Sequence, residues 1–302
     1  MNYEDKIIEI FCKADDFCIE LQEEIKKHSI DDGNQKRRNR AFSMSDSEVI
    51  TIVVFFHLKG YRNFKHYYTQ HVCLHMNKEF KTLVSYNRFV ELMTKALLPM
   101  IMFLEIRCLG NCTGFSIIDS TPLKACHIKR EHSHKTFKGI AQKGQCSIGW
   151  FYGFKLHLII NDKGEILDFV ITPGNIDDRQ PLKEKNILRN IYGKLFGDKG
   201  YISQSLFEQL FIDGIHLITK LRKNMKNSLM DTKDKIMLRK RALVETVNDE
   251  LKNICQIEHT RHRSFNNFLV NLISGLIAYQ FLPKKPSIQC DVIDRNKLVP
   301  VC

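Results

Sequence analysis

The stretch Phe115-Ser116-Ile117-Ile118-Asp119-Ser120-Thr121-Pro122 decides how the rest of the chain is read. Apolar and β-prone residues run into a carboxylate there, and a buried carboxylate is costly unless a cation meets it. Ser120, Thr121 and Pro122 interrupt the run, so the pattern predicts a strand that ends at Asp119, the end at which α/β sheets present their ligands. A second copy lies downstream. Leu195-Phe196-Gly197-Asp198-Lys199-Gly200-Tyr201 carries an apolar run into Asp198, between glycines that let a backbone or a phosphate come close. Two carboxylates at neighbouring strand tips repel each other, and a divalent metal held by oxygen ligands relieves that repulsion. Taken singly, each Asp fits an ordinary turn or helix cap.

A chain of 302 residues can bury a substantial core in one large or two medium domains, and a hydrophobic content of 43% is that of a globular protein. The net charge of +12 draws polyanions, of which nucleic acid is the commonest. Ten cysteines without regular spacing read as reduced thiols and not as a disulfide framework. The residues after Met1 do not have the form of a secretory leader, and the longest apolar runs, 49–58 and 97–104, fall short of the ~20 residues a bilayer demands. The expectation is a cytoplasmic protein without a membrane partner.

Residues 1–110 read as all-helical. Apolar residues recur at helical spacing over 3–28, with the look of a helix pair, and Lys36, Arg37, Arg38 and Arg40 follow in a basic linker. Ser45 and Glu48 have the form of a capping box, heading a buried helix that ends near Gly60. Residues 61–71 interleave Arg62, Lys65 and His66 with Phe64, Tyr67 and Tyr68, a mixture suited to stacking on bases and equally to half-buried rings under long cations. Ser85 caps a further helix, 86–105, broken at Pro99. The region is expected to bind DNA ends, as a module of helix-turn-helix type.

After Asp119 the chain turns basic, with Lys124, Lys129, Arg130, Lys135, Lys138 and Lys143 forming an arm for phosphates. Cys126, His127, His132 and His134 raise the question of zinc, but their spacing matches no standard zinc module. Strand periodicity follows over 150–160, a turn at Lys163-Gly164, and a return strand over 166–172. Asp177 or Asp178 should cap a helix reaching Tyr192; then come the Asp198 strand, a helix opened by Ser203, and a strand over 215–221. The order β-β-β-α-β-α-β-α, with the first and fourth strands adjacent, is an α/β fold with a ribonuclease H-like mixed sheet. It spans 111–283, leaving a tail of 284–302, and it sets Asp119 beside Asp198. A third acid would come from the helix after the last strand.

That helix is predicted over 236–255. Leu243, Val244, Val247, Leu251 and Ile254 make an apolar stripe at ~100° per residue, with Arg241, Glu245 and Lys252 on the opposite side. Arg241 and Glu245 equally form a surface pair worth only ~0.2–0.5 kcal/mol. Glu245 points away from the stripe, so it reaches the aspartates only if the helix lies along the sheet edge. Asp249 and Glu250 compete for the same role.

Taken in order, these motifs resemble the DDE transposases of bacterial insertion sequences, and insertion-sequence family 982 above all. They are Asp119-Ser-Thr-Pro-Leu, Phe151-Tyr-Gly-Phe-Lys-Leu-His157, Thr172-Pro-Gly-Asn175 with Asp178 after it, Gly197-Asp-Lys-Gly-Tyr201 and Arg222-Lys-Asn-Met225. The resemblance, over about 45–283, implies a metal-dependent polynucleotidyl transferase that cleaves and joins terminal inverted repeats. It carries the acidic triad, catalytic and metal-binding, onto Asp119, Asp198 and Glu245. A related signature, Tyr-x2-Arg-x3-Glu-x6-Lys, selects Glu245 and matches Arg241 and Lys252, with Leu238 where that signature has Tyr. It also implies Mg²⁺, with Mn²⁺ able to substitute. The partners would be terminal-repeat and target DNA, bound by a homodimer assembled on DNA in the bacterial nucleoid.

Phosphodiester cleavage puts charge on attacking, leaving and phosphoryl oxygens together, and two Mg²⁺ about 3.5–4 Å apart meet all of them. Asp119 would bridge both ions, with Asp198 and Glu245 each holding one. Arg241 and Lys252 would grip the DNA backbone, joined by Lys199, Lys220, Arg222 and Lys223. Two alternatives share these features: a catalytically inactive DNA-binding protein of the same fold, and a structure-selective nuclease that does not join ends.

Overall fold

In a computed structural model of the protein, residues 3–28, 43–147, 149–184, 186–220, 230–258 and 262–288 are described. Strand β1 (Phe115–Cys126) does not stop at Asp119. It continues antiparallel to β3 (Gly149–Asn161), with Asp119 opposite Leu158 and Pro122 opposite Lys155. On its other edge it runs parallel to β5 (Gly193–Gly197) only through Phe115, Ser116 and Ile117. The strand that ends near Asp119 is therefore β5. Beyond Gly197 that edge of β1 has no neighbouring strand among the described residues, which is where a sheet tolerates the missing N–H of Pro122.

Strand β4 (Ile166–Pro173) is antiparallel to β3, and β6 (Ile215–Thr219) is parallel to β5. The sheet is the expected ribonuclease H-like one, three antiparallel strands followed by two parallel. One strand is added. In the basic loop, β2 (Gln142–Cys146) pairs with Gly149–Gly153, the half of β3 that β4 leaves free. Side chains alternate across the sheet as a period of two demands. Ile117, Leu156, Leu158 and Phe196 enter a main core, whereas Ile118, Ile159, Leu195 and Leu217 form a second cluster with Leu182, Ile187, Leu206 and Leu210.

The helical N-terminal region shares the main core. Helix α1 (Tyr3–His28) is one helix and not a pair: no Gly or Pro interrupts it, and Ile7, Ile10, Ala14 and Phe17 keep one buried stripe. Helix α2 (Asp46–Leu58) starts with the predicted capping box, Ser45 and Glu48 each bonding the other's backbone N–H. The predicted helix over 86–105 is two, Tyr86–Lys95 and Leu97–Phe103. The break falls ahead of Pro99, because proline has no N–H for the carbonyl of Lys95.

A helix that sequence reasoning did not place, Phe265–Gln280, runs through this core and is apolar almost all round. Against it His57 of α2 is fully buried, Nε2 lying 2.8 Å from Ser274 Oγ and Nδ1 2.5 Å from the Cys255 carbonyl. Gly275 lets Ile257 pack closely on this helix, since a Cβ there would sit 2.4 Å from Ile257 Cγ2. The helix predicted to reach Tyr192 shrinks to Gln180–Lys183 and a 3-10 turn, Asn186–Leu188. Asp177, one of the two expected caps, instead binds Arg179, through its backbone N–H at 2.9 Å and its guanidinium at 2.6 Å.

Candidate active site

Asp119 lies where β1 and β5 part, on the same face as Ile117. Asp198 follows directly on the end of β5 and leads into the 3-10 turn Lys199–Tyr201. A Cβ at Gly197 would meet the Tyr201 ring at 3.1 Å, so glycine lets that ring fold back beneath the strand end. Tyr201 is buried, with the Ser120 side chain beside its hydroxyl. Burial, and then the carboxylates of Asp119 and Asp178, push its ionisation well above the usual range.

The predicted 236–255 helix divides into Thr232–Lys240, Leu243–Asp249 and a π-turn, Glu250–Ile254. Its two ends are pinned to the strands that part at Asp119. Lys194 of β5 donates to Asp234 at 2.6 Å, and Lys252 donates to the Pro122 carbonyl of β1 at 2.7 Å. Val244, Val247 and Leu251 anchor the segment in the main core. Leu238, at the position of the signature tyrosine, is 5% exposed in the same core. Held this way, the polar side of Leu243–Asp249 overhangs Asp119, which is how Glu245 arrives despite pointing away from the apolar stripe.

Arg241 stands at the centre of the cluster. Its guanidinium lies 3.9 Å from Asp119 Oδ1, 3.7 Å from Asp198 Oδ1 and 3.4 Å from Glu245 Oε1. Asn248, one helical turn beyond Glu245, donates to Asp119 Oδ2 at 3.2 Å. Neither competitor shares this arrangement. Asp249 accepts from Asn253 at 2.6 Å, and Glu250 is turned toward Cys255 and Tyr279. Burial pushes the Asp119 carboxyl up to about 6; Arg241 and the Ser120 backbone N–H oppose this, while the charges of Glu245 and Asp198 add to it.

Behind Asp119, Lys155 binds Asp178 and the Ile176 carbonyl, both at 2.8 Å, and buried His157 contacts Thr172 Oγ1 at 2.8 Å. Burial brings His157 down to about 4, so this ring is neutral at physiological pH. Among the described residues, no group of three or more His, Cys, Asp or Glu stands close enough to hold a metal ion. The guanidinium occupies the space between the carboxylates. The donors are nonetheless all oxygens, the kind hard divalent cations take. A buried carboxylate raised this far is also under-neutralised by one half-shared guanidinium. The residues fit a divalent ion.

Lys199, Lys129 and Arg130 are exposed, the last two in the 3-10 turn Ile128–Ser133 after β1, and Lys220 is exposed beyond β6. Lys252 is engaged with β1 and with Glu258, 3.5 Å away. Arg222, Lys223 and the basic linker 33–40 lie outside the described residues. Sequence reasoning missed Asn248, though its spacing from Arg241 and Glu245 on one helical face was a usable signal. It quoted Lys155, His157 and Tyr201 without a role, and Asp178 only as a possible helix cap. Their partners lie on other strands, and no periodicity reveals those.

Fold and site together define a ribonuclease H-like α/β protein whose acidic cluster sits where the central strands diverge. Residues 109–265, just over half of the chain, match the family model described as Transposase DDE domain, and the chain belongs to that family. The fold is similar to that of the piggyBac transposase in a cryo-EM structure of its synaptic complex with hairpin DNA. The TM-score is 0.51 at 10% identity, over 90% of this chain and 71% of that one. No curated protein matches. Among the described residues no helix is long and apolar enough to cross a membrane.

Proposed function

We propose that the protein is an insertion-sequence transposase, most like family 982 of bacterial elements, that cuts and joins terminal inverted repeats. Asp119, Asp198 and Glu245 are its catalytic carboxylates. The observation that carries this reading is the convergence of three acids from β1, the end of β5 and the following helix on one guanidinium. Two divalent ions, Mg²⁺ or Mn²⁺, held by these three residues would stabilise the charge on the attacking, leaving and phosphoryl oxygens. Asn248 fixes one oxygen of Asp119 and leaves the other facing the cluster. Arg241 neutralises the cluster in the free protein and has the planar fork that grips a phosphate bidentately. Lys199, Lys129 and Arg130 hold the DNA backbone at the rim, and Lys252 keeps the helix seated on β1 while the strand is bound. The acting unit is a homodimer assembled on DNA.

The test is incubation of purified protein with labelled element ends in Mg²⁺, Mn²⁺ or Ca²⁺. Wild type nicks the ends in Mg²⁺ and Mn²⁺. Asp119→Ala binds the same DNA with unchanged affinity and does not nick it; full cleavage by that variant refutes the assignment.

A further inference from the structure

A cavity of about 660 Å³ opens between the N-terminal helices and the start of helix Phe265–Gln280, away from the carboxylates. Such a volume suits a small organic ligand or one unit of a polymer. Its floor is apolar, made by Val53, Phe56 and Met93, all nearly inaccessible to solvent. Its mouth carries Arg62, Lys65 and Arg263, all exposed, and no acidic residue lines it among the described residues. Lys65 sits 5.8 Å from the centre of the Tyr86 ring, and neither Arg62 nor Arg263 has an ion-pair partner among the described residues. Cations at the mouth, a ring beside them and an apolar floor match a nucleotide, with its phosphate outside and its base inside. Asn267, on the wall, offers an amide to a base edge.

The cavity lies on the side of the molecule toward which β1 runs after Asp119, and a separate cleft there is lined by Glu258 as well as by β1. His262 lines the cavity and also this narrow cleft, beside Leu123, Lys124 and Ala125 of β1. Leu123 is four residues beyond Asp119, about 13 Å along the strand at ~3.3 Å per residue.

We infer that this cavity receives an unpaired nucleotide of a DNA strand whose backbone passes the carboxylate cluster. The inference rests on the proposed action on DNA and adds a second anchoring point to it. The basic and aromatic residues at 61–68 then divide the work: Arg62 and Lys65 serve the phosphate, whereas Phe64, Tyr67 and Tyr68 build the wall behind the cavity.

The experiment uses the full chain without divalent metal, so that cutting plays no part. The probes are a blunt fluorescein-labelled DNA duplex and the same duplex with a four-nucleotide unpaired tail carrying 2-aminopurine. Wild type binds the tailed probe about tenfold more tightly by anisotropy, and 2-aminopurine emission changes on binding. Arg62→Ala, Lys65→Ala and Arg263→Ala each reduce that preference at least threefold and lower the salt slope by roughly 0.7 for each phosphate no longer neutralised. Asn87→Trp plugs the mouth from an exposed helical position without changing charge; it removes the preference and leaves duplex affinity unchanged. Absence of any tail preference in wild type overturns the inference. So does a preference that survives Asn87→Trp, or an equal loss on both probes in the three charge variants. Any of these results alongside metal-dependent nicking leaves the transposase reading standing and removes only the cavity.

Discussion

Replacing Arg241 by Gln removes the one cation among the described residues that lies within 4.0 Å of all three carboxylates, while preserving much of its shape. At an effective dielectric near 20, a unit charge pair at the observed 3.4–3.9 Å interacts by roughly 4–5 kcal/mol before desolvation. Most of that does not survive. The side chains of Asp198 and Glu245 are 53% and 62% exposed, where a pair is worth at most about 1 kcal/mol. Asp119, 22% exposed, keeps more. A net loss of about 2 kcal/mol follows, and the metal-free variant should melt about 4–8 °C lower. A divalent ion gains what folding loses, because it no longer has to displace the guanidinium. The same ~2 kcal/mol tightens Ca²⁺ binding about 30-fold by titration calorimetry, and Ca²⁺ restores more melting temperature to Arg241→Gln than to wild type. If the variant melts lower but binds Ca²⁺ no more tightly, the guanidinium does not stand in the ion's place.

Three further outcomes follow from the packing. Leu276→Ala, at a fully buried position of helix Phe265–Gln280, costs about 2–5 kcal/mol in urea unfolding, whereas Ile212→Ala, 84% exposed, stays within about 0.5 kcal/mol. Tyr201→Phe deletes a buried hydroxyl beside Ser120 and changes stability by no more than about 1.5 kcal/mol; a larger loss shows a stronger hydrogen bond than one neutral pair supplies. Burial lowers His57 to about 4. Below the ordinary value near 6.5 the unfolded chain therefore binds the extra proton, and the contribution of His57 is complete above about pH 6.5 and lost as pH falls toward 4. Asp119 and Asp168, both raised to about 6, act in the opposite sense, so the His57 component is read as the difference between wild type and His57→Gln. That difference shrinks by about 3 kcal/mol between about pH 6.5 and 4, and a flat difference shows the ring to be no more buried than in the unfolded chain.

The sheet was legible because its signals are local. Apolar runs that stop at Asp119 and Asp198, the Lys163-Gly164 turn and the alternation through 150–160 each reflect a period of two. Asp119 misled on one point, since Ser120 to Pro122 look like a strand end and are in fact the unaccompanied edge of a longer strand. The all-apolar helix Phe265–Gln280 was missed because a segment buried on every side carries no amphipathic rhythm. The acidic cluster was half legible. Composition and strand tips gave the two aspartates, but choosing Glu245 over Asp249 and Glu250 took the family signature, because periodicity put Glu245 on the wrong side of its helix. Only the anchoring of Asp234 to Lys194 and of Lys252 to Pro122 turns that side over the sheet.

The bond between His57 and Ser274 spans 217 residues of sequence. A ribosome making this chain has long finished α2 by the time the residue that completes its packing emerges. Until then the apolar side of α2 lacks one of its two main helical partners. A message truncated before the codon for Ser274 leaves His57 without that bond, although Asp119, Asp198 and Glu245 have all been made.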